Sequence, residues 1–213
     1  MANLELTHLA FLLDRSGSMR SSKSDVEGGF AAFIDDQRAA VGECTVTLAQ
    51  FDNSYEVVYQ GVPLDQVPAL DLRPRGRTAL LDAMGTLITD VSAEINSLPE
   101  EERPGTVIVA IMTDGHEHSS REWSRPAIKS LVELHSNQFD WQFLYMGADQ
   151  DAVEVGTRLG VKRDQSLTYS KGKSRGAMAA ASANIRRYRN AKPINPAALK
   201  PEFSDAQRAA LDD

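Results

Sequence analysis

The chain has 213 residues, a formal net charge of −7, 42% hydrophobic and 25% charged residues. That is enough chain for one domain with a full core. The acidic balance disfavours wholesale binding to nucleic acid or to an anionic membrane, and a single cysteine, Cys44, excludes an internal disulfide.

No apolar run approaches the roughly 20 residues that span a bilayer. The N-terminus carries no Lys or Arg before Arg15 and does not read as a signal peptide. The expected location is the cytoplasm, of the host if the chain is phage-encoded.

His8 to Leu13 reads as a short buried strand, apolar almost throughout and covered on both faces. His8 itself reads as a structural residue. The strand stops at a carboxylate, in Asp14-Arg15-Ser16-Gly17-Ser18. A tight backbone, made easy by Gly17, turns the oxygens of Asp14, Ser16 and Ser18 toward one point. Hard oxygens so arranged suit a divalent cation such as Mg2+ or Mn2+.

A helix follows, with Val26, Phe30, Phe33 and Ile34 on one face. Ser24 is its expected N-cap, with Glu27 completing a capping box, and Gly42 ends it. Cys44 to Phe51 and Tyr55 to Tyr59 read as a hairpin about an Asp52-Asn53-Ser54 turn. The connection from Gly61 to Arg77 holds three prolines and closes on Pro74-Arg75-Gly76-Arg77-Thr78. Leu80, Leu81, Met84, Leu87, Ile88, Val91 and Ile95 then mark a strong amphipathic helix, for which Thr78 is a simple N-cap on the plainest reading.

Thr106 to Met112 is a second fully apolar strand that stops at a carboxylate, Asp114. A polar loop, His116-Glu117-His118-Ser119-Ser120, leads to a helix marked by Trp123, Ala127, Ile128, Leu131 and Val132. Trp141 to Met146 is a strand, Asp151 to Leu159 a short helix, Ser166 to Tyr169 a brief strand, and Ala177 to Tyr188 a helix. From Lys192 the periodicity fades among three prolines.

This alternation implies an α/β, doubly wound, Rossmann-like sheet of about six strands. It is mostly parallel, with one antiparallel edge strand and helices on both faces. Residues 1–190 form the expected single domain. Residues 191–213 form an extended or partly disordered tail, with Phe203 and Leu211 available to dock.

In such sheets ligands bind beyond the carboxyl ends of the strands, where the strand order reverses. If the Asp14 and Asp114 strands are neighbours there, Asp14, Ser16, Ser18, Thr78 and Asp114 form one oxygen-rich cluster. The three segments that carry it are Asp-Arg-Ser-Gly-Ser, Gly-Arg-Thr-Ala-Leu and Thr-Asp-Gly. In this order and on these elements they resemble the von Willebrand factor type A (vWA) domain and its metal-ion-dependent adhesion site. The resemblance runs from about Glu5 to about Tyr169. The stretch from Thr113 to Glu122 is similar to a bacterial and phage subgroup of stand-alone domains, with His118 where that subgroup carries Asn.

The resemblance implies hydroxyl ligands from Ser16, Ser18 and Thr78. Asp14 and Asp114 would act directly or through water, and one position would stay open for a partner's Asp or Glu carboxylate. Mg2+ is the expected ion, with Mn2+ or Ca2+ as alternatives. Arg75, Arg77, His116 and His118 are expected on the partner-facing rim. The resemblance further implies a protein partner such as an ATPase or a larger assembly, no membrane, and no enzymatic activity.

Two rivals read the same residues differently. A metal-dependent phosphohydrolase wants a second carboxylate two residues after Asp14, and Ser16 stands there. Lys129, on a helix face, and Lys162, far along the chain, are poor candidates for gripping phosphate. The stretch from Lys162 to Lys192 carries nine basic residues and one acidic residue, +8 in all, leaving −15 elsewhere. That asymmetry allows a nucleic-acid-associated protein, but only Tyr169 and Tyr188 accompany it as aromatic platforms. His116 and His118 raise zinc as an option. They lie in a loop without a third clear ligand, since His135 is on a helix and Cys44 on a distant strand.

Overall fold

Every residue from Thr7 to Asp14 is buried, because this carboxyl-terminal part of the first strand, β1 (Asn3–Asp14), is central in the sheet. The computed structural model describes residues 2–212. β1 pairs in parallel with β2 (Glu43–Phe51) on one side and with β4 (Pro104–Thr113) on the other. β2 pairs antiparallel with β3 (Tyr55–Pro63), the edge strand of the hairpin. β5 (Gln142–Ala148) and β6 (Ser166–Tyr169) extend the sheet in parallel beyond β4. The order is β3-β2-β1-β4-β5-β6. The sequence of strands thus reverses between β1 and β4, as expected.

The pleat sends alternate side chains of each strand to opposite faces. Leu9, Phe11 and Leu13 join a core with Phe30, Phe33 and Ile34 of α1 (Lys23–Arg38) and with Met178, Ile185 and Tyr188 of α5 (Ser174–Ala191). Phe11 meets Phe30 and Phe33 edge to face, with ring centroids 5.3 and 4.9 Å apart. Ala10 and Leu12 face the other core. That core holds Leu80, Met84, Leu87 and Val91 of α2 (Leu80–Ser97), Ile128 and Val132 of α3 (Arg125–Gln138), and Ala152 of α4 (Ala152–Arg158). Each fully buried Leu, Ile or Phe contributes about 1.5–3 kcal/mol, so the two layers carry the fold. α1 and α5 approach closely at Gly29, where a Cβ would lie 3.1 Å from the backbone of Arg175.

Three local expectations are corrected. Ser24 is not the cap of α1. A 3-10 helix over Gly17–Ser22 runs directly into α1, which places Ser24 inside the helix. Thr78 caps nothing either, because α2 starts at Leu80 with Ala79 at the cap position. The tail is not extended. It ends in α6 (Asp205–Leu211), where Ser204 and Gln207 form a capping box. Ala198, Phe203 and Leu211 are buried in the core on the α1 and α5 side.

The basic run is also dispersed. Arg189 is buried and donates to the carbonyl and side-chain oxygens of Gln37. Arg186 pairs with Asp36, and Lys192 and Lys200 clamp the tail to Asp140. Among the described residues, no helix is long and apolar enough to cross a membrane.

Candidate metal centre

The site is built where β1 and β4 diverge. Asp14 ends β1 and is fully buried. Its Oδ1 accepts the Ser16 amide at 2.6 Å, which bends the chain so that Ser16 and Ser18 follow on one side. Its Oδ2 accepts the Thr113 hydroxyl at 2.6 Å, which ties the end of β1 to the end of β4. Ser16 Oγ lies 2.9 Å from Ser18 Oγ, and Ser18 Oγ donates to Asp114 Oδ1 at 2.5 Å.

The third segment is stitched to the first by backbone bonds. The Arg75 amide donates to the Arg15 carbonyl at 2.8 Å, and the Gly17 amide donates to the Gly76 carbonyl at 3.2 Å. Thr78 is set against the Asp114 loop, and its carbonyl accepts the His118 amide at 3.3 Å. A Cβ on Gly115 would lie 2.6 Å from Thr78 Oγ1, so a side chain there would displace that hydroxyl.

Ser16, Ser18, Thr78 and Asp114 line one open cleft of about 450 Å3, together with Arg77, His116 and His118. Asp14 does not line the cleft and is joined to it through the Ser16 amide. Arg75 does not join. Its Nε donates to Asp52 Oδ2 at 2.8 Å, on the hairpin side, so the expected rim role is corrected for this residue. The structure thus places four of the five proposed ligand residues and three of the four rim residues on one cleft, with Asp14 hydrogen-bonded to the Ser16 amide behind them.

The electrostatics suit a cation. Burial pushes the Asp14 carboxyl up to about 6, against the bonds from Thr113 and Ser16 that favour its ionised form. Burial also raises the Asp114 carboxyl. Asp114 Oδ2 is buried and has no hydrogen-bond partner among the described residues. An unsatisfied buried carboxylate oxygen is costly, and an ion beside it removes the cost. The donor set of carboxylate and hydroxyl oxygens fits a hard divalent ion. Among the described residues, no three His, Cys, Asp or Glu side chains gather to share an ion. Any ion at this cleft therefore depends on the hydroxyls.

Three supporting acids carry roles that their sequence positions do not announce. Asp52, in the hairpin turn, accepts both Arg15 Nε and Arg75 Nε on Oδ2, and its carbonyl accepts the Ala79 amide at 2.9 Å. Burial alone would raise its pKa; the Arg75, Ser54 and Arg15 donors outweigh that and lower it. Glu117 accepts the amides of Leu81, Ser119 and Ser120, so the Asp114 loop caps α2 from outside. Asp82 returns the bond by accepting the amides of Arg121, Glu122 and Trp123 at 2.7–2.9 Å. No sequence signal marks these roles, because Thr78 reads as the cap that the helix start needs and only the structure shows Ala79 in that position.

A doubly wound sheet with an oxygen-lined cleft at its switch point belongs to the broad class of Rossmann-like ligand-binding folds. Within that class the fold is the vWA fold, as solved structures show. The von Willebrand factor domain of the type V pilus tip protein Mfa5 from Porphyromonas gingivalis matches with a TM-score of 0.60, at 8% identity, over 84% of this chain and 94% of its own. A von Willebrand factor type A protein from Catenulispora acidiphila matches with a TM-score of 0.57, at 14% identity, over 86% of this chain and 43% of that one. Proximal thread matrix protein 1 of the mussel byssus, with a zinc-occupied metal-ion-dependent adhesion site motif, matches with a TM-score of 0.56, at 14% identity, over 84% and 44%. The chain thus spans less than half the length of the last two. No family model and no curated protein matches the sequence.

Proposed function

We propose that this chain is a binding module that captures a protein carboxylate through a divalent cation, with Mg2+ as the ion. Ser16, Ser18 and Thr78 would hold the ion through hydroxyls, and Asp14 and Asp114 directly or through water. The bound ion would supply an electrophilic coordination position open to an outside carboxylate. The single observation that carries this reading is Asp114 Oδ2, buried and unpartnered beside the Ser18 and Thr78 hydroxyls. The zinc-occupied motif of the mussel protein supports a divalent ion at this place in the fold.

The chain's own residues do the positioning. Thr113 holds Asp14 so that β1 and β4 present their ends together. The Arg15–Arg75 and Gly17–Gly76 backbone bonds fix the distance between the serine loop and Thr78. Three of the five oxygen donors are neutral, which leaves the ion attractive to a further anion. We include in the proposal a cytoplasmic setting and a partner that belongs to a larger assembly.

The test is a cation titration of the EDTA-stripped chain followed by calorimetry and thermal melting. Mg2+ is expected to raise Tm in the wild type and to leave Asp14→Asn and Thr78→Ala unmoved, with both variants folded by circular dichroism. If Mg2+, Mn2+, Ca2+ and Zn2+ all leave the wild type unmoved, the reading is wrong.

A further inference from the structure

A second polar cleft adjoins the metal cleft and shares two walls with it. Its volume is about 440 Å3, and Arg77 and His118 line both. Beyond them it runs to Asn53, Ser119 and Arg121. Its two arginines, Arg77 and Arg121, differ from the ion-paired arginines of the molecule. Arg15 is paired with Asp52 and Glu56, Arg38 with Asp35, Arg73 with Asp71, Arg75 with Asp52 and Arg186 with Asp36. By contrast, Arg77 and Arg121 use their backbone amides, on Asn53 and Asp82, but among the described residues neither guanidinium has a hydrogen-bond or ion-pair partner.

Neither acid of this cleft, Asp82 or Glu122, forms an ion pair with them. The Asp82 carboxylate is occupied by three backbone amides of residues 121–123. The Asn53 side-chain oxygen is occupied by the Arg77 amide at 2.8 Å. Glu122 is the other carboxylate of the cleft, and its side chain accepts no hydrogen bond among the described residues. A planar guanidinium offers paired donors that match a carboxylate.

We infer that the partner segment is an acidic peptide with two carboxylates, one for the cation and a second, a few residues on, for Arg77 and Arg121. The inference rests on the cation-dependent reading above and names the partner's chemistry. Arg77 stands between the two carboxylates and fixes the direction in which the peptide crosses the rim. Glu122 repels the second carboxylate and sets how selective the cleft is.

The probe is a set of fluorescein-labelled Gly/Ser peptides. Some carry one aspartate; others carry that aspartate and a glutamate roughly two to four residues further on, a reach set by the length of an extended chain. Anisotropy is read with Mg2+ and with EDTA. The two-acid peptides are expected to bind about tenfold tighter than the one-acid peptide, the gain of one well-formed ion pair. Arg121→Ala is expected to remove that gain and to leave both one-acid binding and the Mg2+ rise in Tm unchanged. Glu122→Gln is expected to tighten the two-acid peptides further. If a one-acid peptide binds with Mg2+ and the second acid adds nothing, or Arg121→Ala leaves the gain intact, this inference falls and the cation reading stands. If no peptide binds and no cation shifts Tm, both fall.

Discussion

At the scale of single residues, the site depends on close approach as much as on ligand identity. Gly115 follows Asp114 and lies against the Thr78 hydroxyl. Gly115→Ala would put a methyl 2.6 Å from Thr78 Oγ1. The expected result is a cation affinity reduced by about tenfold or more, from a displacement that leaves the core untouched. Calorimetric Mg2+ titration of the variant checks this, with urea unfolding as the control for the fold. The ligand residues were legible in the sequence because each polar oxygen follows directly on an apolar strand or precedes an apolar helix. Thr113 gives no such signal, because a hydroxyl at the end of an apolar strand carries no hint that it grips Asp14. Arg75 was misplaced for a similar reason. Two arginines on either side of a glycine look equivalent in sequence, and only the hairpin turn, by presenting Asp52, separates them.

At the scale of elements, α2 and the Asp114 loop hold each other. Glu117 caps the helix start, and Asp82, in the first turn of α2, anchors the end of the loop. Asp82→Ala would remove the acceptor of three amides, that of Trp123 half-buried and those of Arg121 and Glu122 exposed to water. We expect a loss of about 1 kcal/mol in urea unfolding, the scale of a lost hydrogen bond. We also expect weaker cation binding, because the loop carrying Asp114 loses its anchor. Wild-type affinity in a destabilised Asp82→Ala would show that loop and site are independent. This reciprocal capping joins segments about forty residues apart, and sequence periodicity cannot reveal it. The carboxyl ends of β1 and β4 were readable almost to the residue, since both are apolar runs with abrupt polar ends, whereas β1 starts at Asn3, five residues before His8, and β3 runs on to Pro63, four residues past Tyr59. α6 was missed as a short helix, although Ser204-Asp205-Ala206-Gln207 carries the capping-box pattern.

At the scale of the whole molecule, stability draws on both ends of the chain. His8, in the middle of the sheet, is 3% exposed and shares a 2.9 Å bond with Thr45 Oγ1. Burial pushes its pKa down to about 4. The unfolded chain, with histidine near 6.5, therefore takes up a proton first as pH falls. Stability is full above about 6.5 and declines toward about 4, by about 3 kcal/mol at most from this group. Urea unfolding across that range should show a steeper decline in wild type than in His8→Gln; parallel declines would count against it. The tail adds a second contribution. Phe203 is 4% exposed within the core of the α1 and α5 face. Phe203→Ala is expected to cost about 3 kcal/mol by the same measurement, as for other buried aromatics. A loss below about 1 kcal/mol would mean that the tail is ornament to the fold.

The tie between the hairpin turn and the serine loop also says where this chain tolerates engineering. Asp52 anchors Arg15, Arg75 and the start of α2, so the turn at residues 52–54 acts as a strut of the cleft although it contributes nothing to the ion. A label or fusion inserted there would slacken the cleft at long range in sequence. The stretch at Glu100–Glu102 sits before β4, at the opposite rim of the sheet, and is the natural port for an immobilisation tag that leaves the binding face clear.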